Sequence, residues 1–277
     1  MIRARIRFVS ASVAICSVLT IYILSTRGHF DTLSILHQLG WYPISPLNIA
    51  KVFFLTVLLF AGPLYERAII DSGWREWISG REIHETLSSW IGWRNFVAGP
   101  ITEEILFRSL LLPLHLIILP SPSPATLVFA TPLYFGIAHI HHFYEYTLTH
   151  PFTPMLPALL RSLLQFGYTT VFGWYATFLF LRTGSLWAVI LVHSFCNWMG
   201  LPRLWGRVGG VTIEGGVVGR PMRGKEDEDR EDDRRRGLGL RWTVTYYLVL
   251  VAGAVIWWKG LWVLTKSGGA LVKFGSG

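Results

Sequence analysis

Long apolar runs alternate with short polar breaks along the chain, and the length of the runs sets the reading. A stretch of about 20 apolar residues is what a helix needs to cross a bilayer. Seven such stretches stand out, at 8–24, 46–70, 96–119, 124–143, 156–181, a short one at 185–199, and 242–264. The breaks carry turn chemistry: "PSPSP" at 120–124 links the third and fourth runs, and "RTGS" at 182–185 links the fifth and sixth. Trp41, Trp74, Trp77, Trp90, Trp93, Trp257 and Trp258 collect near the expected ends, as an interfacial aromatic belt requires. The pattern predicts an all-α protein, a polytopic transmembrane helical bundle of about seven spanning helices.

Composition agrees. Of 277 residues, 52% are hydrophobic and 15% charged, against about 25% charged in soluble domains. The mean hydropathy is +0.43. A net charge of +8 raises nucleic acid as a partner, but the basic residues sit between apolar runs and no basic patch is interleaved with aromatics, so nucleic-acid binding is excluded. Cys16 and Cys196 both fall in apolar stretches, which excludes a disulfide framework and a thiolate zinc site. Arg3, Arg5 and Arg7 precede the first run as in a signal peptide. The following "STRGH" offers no small-residue cleavage site, so the run is read as a retained helix.

Lys and Arg set the orientation. With a cytosolic N-terminus, the cytosolic segments hold Arg3, Arg5, Arg7, Arg75, Arg81, Arg94 and the basic stretch from 203 to 241. The opposite side keeps Arg27, Arg182, Lys266 and Lys273, as the positive-inside rule demands. The expected organisation is a transmembrane catalytic core at 1–201, a charged cytosolic loop at 202–241 and a final helix with a short tail at 242–277. The loop contains "GKEDEDREDDRRR", too polar to bury a core, and reads as a disordered, solvated linker. It lacks the glycine and spacing of a calcium-binding loop.

Candidate chemistry enters where ionised residues interrupt lipid-like sequence. "GPITEEILFRS" at 99–109 places Glu103, Glu104 and Arg108 in the third run. Each charge costs about 2.5–3.5 kcal/mol on insertion scales, so such residues are functional candidates by default. Glu104 and Arg108 are one helical turn apart and able to pair, which reads equally as a structural lock between helices. Glu103 points about 100° away and is less well neutralised by that arginine. Partial desolvation suits it to act as a general base. Two further polar sites are "FGIAHIHHFYE" at 135–145, with His139, and "HSFCNWMG" at 193–200, where His193 and Asn197 share a helical face. Taken singly, each histidine is more often a satisfied polar residue than a catalyst. The crossing order, however, puts all three sites at the cytosolic ends of their runs, and Glu103, His139, His193 and Asn197 are expected within about 10 Å of one another.

Other hydrolase signatures fail. Gly-x-Ser-x-Gly is absent. Asp31 and Asp71, the aspartates outside the charged loop, do not lie centrally in a run, which argues against an aspartate dyad. "HETLS" at 84–88 has Ser88 where a zinc protease needs its second histidine. Cys196 lies near His193 in sequence, but that spacing alone does not make a thiol nucleophile. What remains is a carboxylate and histidine acting on water: Glu103 accepts its proton, His139 shares or orients it, and Asn197 with His193 donates to a developing oxyanion. That set fits amide hydrolysis.

Glu-Glu-x-x-x-Arg at 103–108, Phe-x-x-x-His at 135–139 and His-x-x-x-Asn at 193–197, in that order within apolar runs, resemble the type II CAAX prenyl endopeptidases, the Ras-converting group of the wider abortive-infection family. "WRNFVAGPITEEILFRS", "TTVFGWYATFLFLRTGSLW" and "LVHSFCNWMGLP" extend the resemblance over about 93–202. It implies a helical core around a conical cavity open to membrane and cytosol. It implies a multi-pass endoplasmic reticulum protease that removes the last three residues of prenylated CaaX proteins, such as Ras-type small GTPases. Glu103 and His139 would activate water, His193 and Asn197 would stabilise the oxyanion, and Glu104 and Arg108 would support them, with no cofactor and no catalytic metal. A prenyl chain entering sideways from the lipid bilayer avoids exposure to water. Relatives have about eight spanning helices, one ahead of the run at 8–24, so a first helix is expected to be missing or to lie upstream of this start. Two alternatives stay open: a zinc-dependent version with Glu103, His139 and His193 as ligands, and a non-catalytic membrane scaffold or immunity-type interaction protein on the same fold.

Overall fold

The computed structural model describes residues 2–208 and 239–275, with side chains from residue 7 onward. The described residues are helical, and among them no strand occurs. The linker expected at 202–241 lies mostly at 209–238, outside the described residues. In chain order the helices are α1 (Ile2–Thr26), α2 (Thr32–Gln38), α3 (Pro46–Leu59), α4 (Ala61–Tyr65), α5 (Trp74–Ser79), α6 (Arg81–Ser88), α7 (Trp90–Trp93), α8 (Gly99–Glu104), α9 (Leu111–Ile118), α10 (Pro124–Ala130), α11 (Pro132–Ala138), α12 (His141–Thr149), α13 (Met155–Thr183), α14 (Leu186–Met199) and α15 (Leu240–Leu264). Three π-helical segments, Glu66–Ile70, Arg94–Ala98 and Ile105–Leu110, follow α4, α7 and α8.

Proline explains where the rods break or widen. A proline lacks an N–H and its ring clashes with the carbonyl four residues back. For Pro100 that carbonyl belongs to Phe96, inside the π segment Arg94–Ala98. For Pro113 it belongs to Ser109, inside Ile105–Leu110. For Pro63 it belongs to Leu59, the last residue of α3, where the path bends by 76° between Pro46–Leu59 and Ala61–Ile70. Pro132 opens α11 and separates it from α10, a position where the missing N–H costs nothing. The third apolar run is therefore a continuous helical path of alternating α and π turns, and the fourth is three short helices.

Taken one by one, Arg7–Thr26 and Leu240–Leu264 are long and apolar enough to cross a membrane, and the bent pair is a third when counted as one span. α1 and α15 present Phe8, Ile15, Val18, Leu248, Val251 and Trp258 outward, as helices facing lipid do. α13 has the length, but Gln165, Thr169, Thr170 and Thr177 occupy buried positions along it.

The chain divides into two compact units. The first comprises Met1–Ile49, Pro100–Leu191 and Thr265–Gly277, the second Ala50–Gly99 and Val192–Leu264. In the first, Leu24, Ile35, Leu39 and Leu110 form a core cluster, and the Ser109 hydroxyl donates to the Leu39 carbonyl at 2.6 Å. α13 ends at Gly184, whose φ of +60° places it in the left-handed region, and whose position against the Gly269 carbonyl leaves no room for a Cβ. α11 lies close against α13 because Gly136 has no side chain: a Cβ there would collide with Thr170 Oγ1 and come within 2.9 Å of the Phe166 ring. In the second unit, Ile70, Val208 and Tyr246 form a core cluster, and the Tyr246 hydroxyl is bonded to the Arg203 backbone at both its amide and its carbonyl.

Candidate active site

The two adjacent glutamates meet different surroundings. Glu104 is 0% exposed and Arg108 is 1% exposed, while Glu103 keeps partial exposure. Arg108 Nη1 donates to Glu104 Oε1 at 3.0 Å, so the pair expected from four-residue spacing is present although Arg108 sits in a π turn. Arg108 Nη2 donates to the Gly173 carbonyl at 3.4 Å. The guanidinium carbon lies 4.7 Å from the Phe135 ring centroid and 5.8 Å from that of Phe172. Two charges this deep are tolerable only as a pair with further partners, and the aromatic faces add cation–π attraction. Glu104 is thus committed to Arg108, and Glu103 is the carboxylate with access to its surroundings.

Phe135 joins the first motif to the second. Its ring faces Arg108 on one hand and the His139 ring on the other, with centroids 4.5 Å apart. Its carbonyl lies 2.7 Å from His139 Nδ1. A carbonyl only accepts, so Nδ1 carries the proton, and the neutral ring has its lone pair on Nε2. His139 is held in the tautomer whose Nε2 can take or share a water proton.

The third motif lies in the second unit. His193 and Asn197 are one turn apart on α14; His193 is 4% exposed and Asn197 is half-buried. Asn197 Nδ2 donates to the Asn95 carbonyl at 2.9 Å. The reason is local to Asn95. The Gly99 amide bonds to the Arg94 carbonyl in the π segment, and the next residue, Pro100, has no N–H to offer the Asn95 carbonyl. The Asn197 amide supplies that bond, which orients its side chain and leaves a second N–H on the same nitrogen.

A network beyond the expected site residues secures the end of α14. Arg67 Nη1 donates to the Trp198 carbonyl at 2.7 Å, one of the last carbonyls of a helix, which lack intrahelical donors. The Arg67 guanidinium also covers the Trp198 ring at 4.8 Å and pairs with Glu82 at 3.5 Å. Glu82 accepts from the indoles of Trp198 at 2.9 Å and Trp77 at 2.6 Å. Glu66 pairs with Arg203 at 3.1 Å. The signal was in the sequence: Glu66 and Arg67 are ionised residues in the second apolar run, the same class of anomaly as Glu103 and Arg108.

Glu103, Glu104, Arg108 and His139 therefore belong to the first unit, and His193 and Asn197 to the second. Chemically, the first holds a partly exposed carboxylate and an imidazole of fixed tautomer, groups able to accept or share a proton. The second holds a buried imidazole and an oriented amide, the makings of an oxyanion donor set.

The profile of the family described as Type II CAAX prenyl endopeptidase Rce1-like matches residues 85–199. The chain is 43% identical over 162 residues to the probable CAAX prenyl protease 2 of Schizosaccharomyces pombe, covering 58% of this chain and 58% of that protein. It is 33% identical over 237 residues to the CAAX prenyl protease 2 of Arabidopsis thaliana, covering 77% and 74%. It is 39% identical over 168 residues to the CAAX prenyl protease 2 of Homo sapiens, covering 59% and 49%. The matched region thus spans between about half and three quarters of these relatives' lengths. No solved structure matches the chain significantly.

Proposed function

The chain belongs to the type II CAAX prenyl endopeptidase family and is a membrane protein, and from that premise we propose that it cleaves the C-terminal aaX tripeptide from prenylated CaaX proteins within the membrane. Glu103 takes the proton of a water that His139 Nε2 orients. The resulting hydroxide attacks the carbonyl of the prenylated cysteine, and the charge that develops on that oxygen is met by His193 and the Asn197 amide. The C–N bond then breaks, and the proton held by Glu103 passes to the leaving amine. Glu104 and Arg108 support this by holding their stretch of helix in place. The chemistry assigned to these side chains calls on no cofactor or metal.

The observation that carries the reading is the link through Phe135, which sets the His139 tautomer and contacts the buried Arg108 of the glutamate motif. The wider proposal keeps about seven spanning helices around a cavity, a core at 1–201 with a charged loop at 202–241 and a final helix at 242–277. It places the protein in the endoplasmic reticulum membrane with the site reached from the cytosol, where Ras-type small GTPases present prenylated C-termini. The Arg-rich ends of the apolar runs support that orientation. The test is release of the tripeptide from a prenylated peptide by the purified chain. Release lost in Glu103→Ala supports the proposal; no release by the wild-type chain overturns it. The same assay with a strong chelator separates a metal-dependent version.

A further inference from the structure

"FGIAHIHHFYE" carries more polar residues than the proposed hydrolysis uses. Beyond His139 it places His141, His142 and Glu145 on the first turns of α12. One donor atom from each of these three lies within 4.8 Å of the other two. We propose that His141, His142 and Glu145 form a binding site for a divalent transition-metal ion, with Zn²⁺ as its expected occupant.

Three observations support the site. First, helix geometry gathers the donors: His141 and Glu145 are four residues apart, His142 and Glu145 three, so all meet above one turn. Second, His141 is prepared as a ligand. Its Nδ1 lies 2.6 Å from the Ala138 carbonyl, so Nδ1 carries the proton and Nε2 presents the lone pair. A backbone carbonyl on the far nitrogen is the usual support of a metal-bound imidazole. Third, the His142 ring lies 4.0 Å from the His141 ring by centroid, and His142 Nδ1 is 3.5 Å from Glu145 Oε2. Two imidazoles side by side gain nothing from each other as cations, but a shared ion with an adjacent carboxylate is a favourable arrangement for both.

The geometry fits zinc with small adjustment. Donors about 2.0–2.1 Å from a tetrahedral ion stand roughly 3.4 Å apart. Glu145 and His142 are 45% and 36% exposed at their side chains, so rotation of two surface groups closes the difference without moving the backbone. Two imidazoles and a carboxylate suit zinc, leaving the fourth position to water. The site is separate from the residues proposed for hydrolysis. His139 is not among the three donors; its own ring lies 5.8 Å from that of His142. Occupancy would tie the first two turns of α12 together, immediately after the segment that carries His139.

Zinc uptake is measured without substrate, so the result does not depend on the proteolytic reading. The full, untagged chain in detergent, stripped with a chelator, is titrated with Zn²⁺ alone, and amide hydrogen exchange over 139–149 is followed with and without the metal. The expected result is one tight equivalent per chain with slowed exchange across α12. Affinity should fall at least tenfold in His141→Ala, in His142→Ala and in the near-isosteric Glu145→Gln, and should stay at the wild-type value in His139→Ala. The site is overturned if the wild-type chain takes up no zinc, or if Glu145→Gln and His141→Ala bind as the wild type does. It is also overturned if His139→Ala alone removes the metal, which would assign the ion to the proposed hydrolytic residues.

Discussion

The two units each hold a charged network, and the networks follow opposite plans. In the first, Glu104 and Arg108 come from adjacent turns of one helical path, are 0% and 1% exposed, and are roofed by Phe135 and Phe172. In the second, Arg67 and Glu82 come from separate elements, keep side-chain exposures of 33% and 15%, and share their bonds with the backbone and two indoles. A sealed ion pair is unscreened, so either partner alone is intolerable there. A half-exposed network is wetted and shared, so the loss of one group is spread over several. The comparison teaches where each unit can accept change. It also separates the two glutamates of the first motif: Glu104 is sealed against Arg108, while Glu103 keeps partial exposure and is the one proposed for chemistry.

The largest expected effect sharpens that split. Glu103→Ala should lower tripeptide release by about 10²–10⁴-fold, the usual contribution of a general base, while the protein accumulates in membranes normally. His139→Ala and His193→Ala should be comparably inactive. Normal turnover by well-expressed Glu103→Ala would remove the distinction between the glutamates.

Next is the sealed pair. Arg108→Met leaves Glu104 buried without its partner and should cost about 3–5 kcal/mol of stability, read as a lowered thermal midpoint in detergent. Adding Glu104→Leu should recover much of that loss, because an apolar pair of similar volume suits the site. If Arg108→Met melts like the wild type, the two networks do not differ in kind.

Asn197→Ala removes the proposed oxyanion donor and should cost about 10²–10³-fold in turnover, with a modest fall in melting because the Asn95 carbonyl loses its partner. A large stability loss and unchanged specific activity would instead make Asn197 a structural partner of the Asn95 carbonyl. Smaller still, Glu82→Gln replaces one of two indole-accepting oxygens with an amide. It should cost about 1 kcal/mol, reduced by the solvent that already reaches the pair, and chemical denaturation of the two variants side by side would show the contrast with Arg108→Met. Cys196→Ser should change turnover least, since the proposed reaction uses no thiol; a folded but inactive Cys196→Ser protein would return a thiol mechanism to consideration.

What the sequence by itself determined lies in the short-range periodicities. Apolar run lengths foretold the helices at 155–183, 186–199 and 240–264 to within two residues of their expected bounds. Four-residue spacing foretold the Glu104–Arg108 pair, because helical geometry alone makes such residues neighbours. The prolines were equally visible, yet the third and fourth runs read as unbroken spans. Apolar composition does not reveal whether a helix absorbs a proline as a π turn, as at Pro100 and Pro113, or ends at it, as at Pro132. The tertiary structure alone decided the rest. Phe135 was legible as a motif residue, but not as the group whose ring meets both Arg108 and His139, because the contact with Arg108 joins segments distant in sequence. The Asn197–Asn95 and Arg67–Trp198 bonds span 102 and 131 residues of chain. No local period encodes them: each exists because packing brings a side-chain donor to a backbone carbonyl that its own helix leaves unsatisfied, and a buried carbonyl must find a partner wherever the fold supplies one.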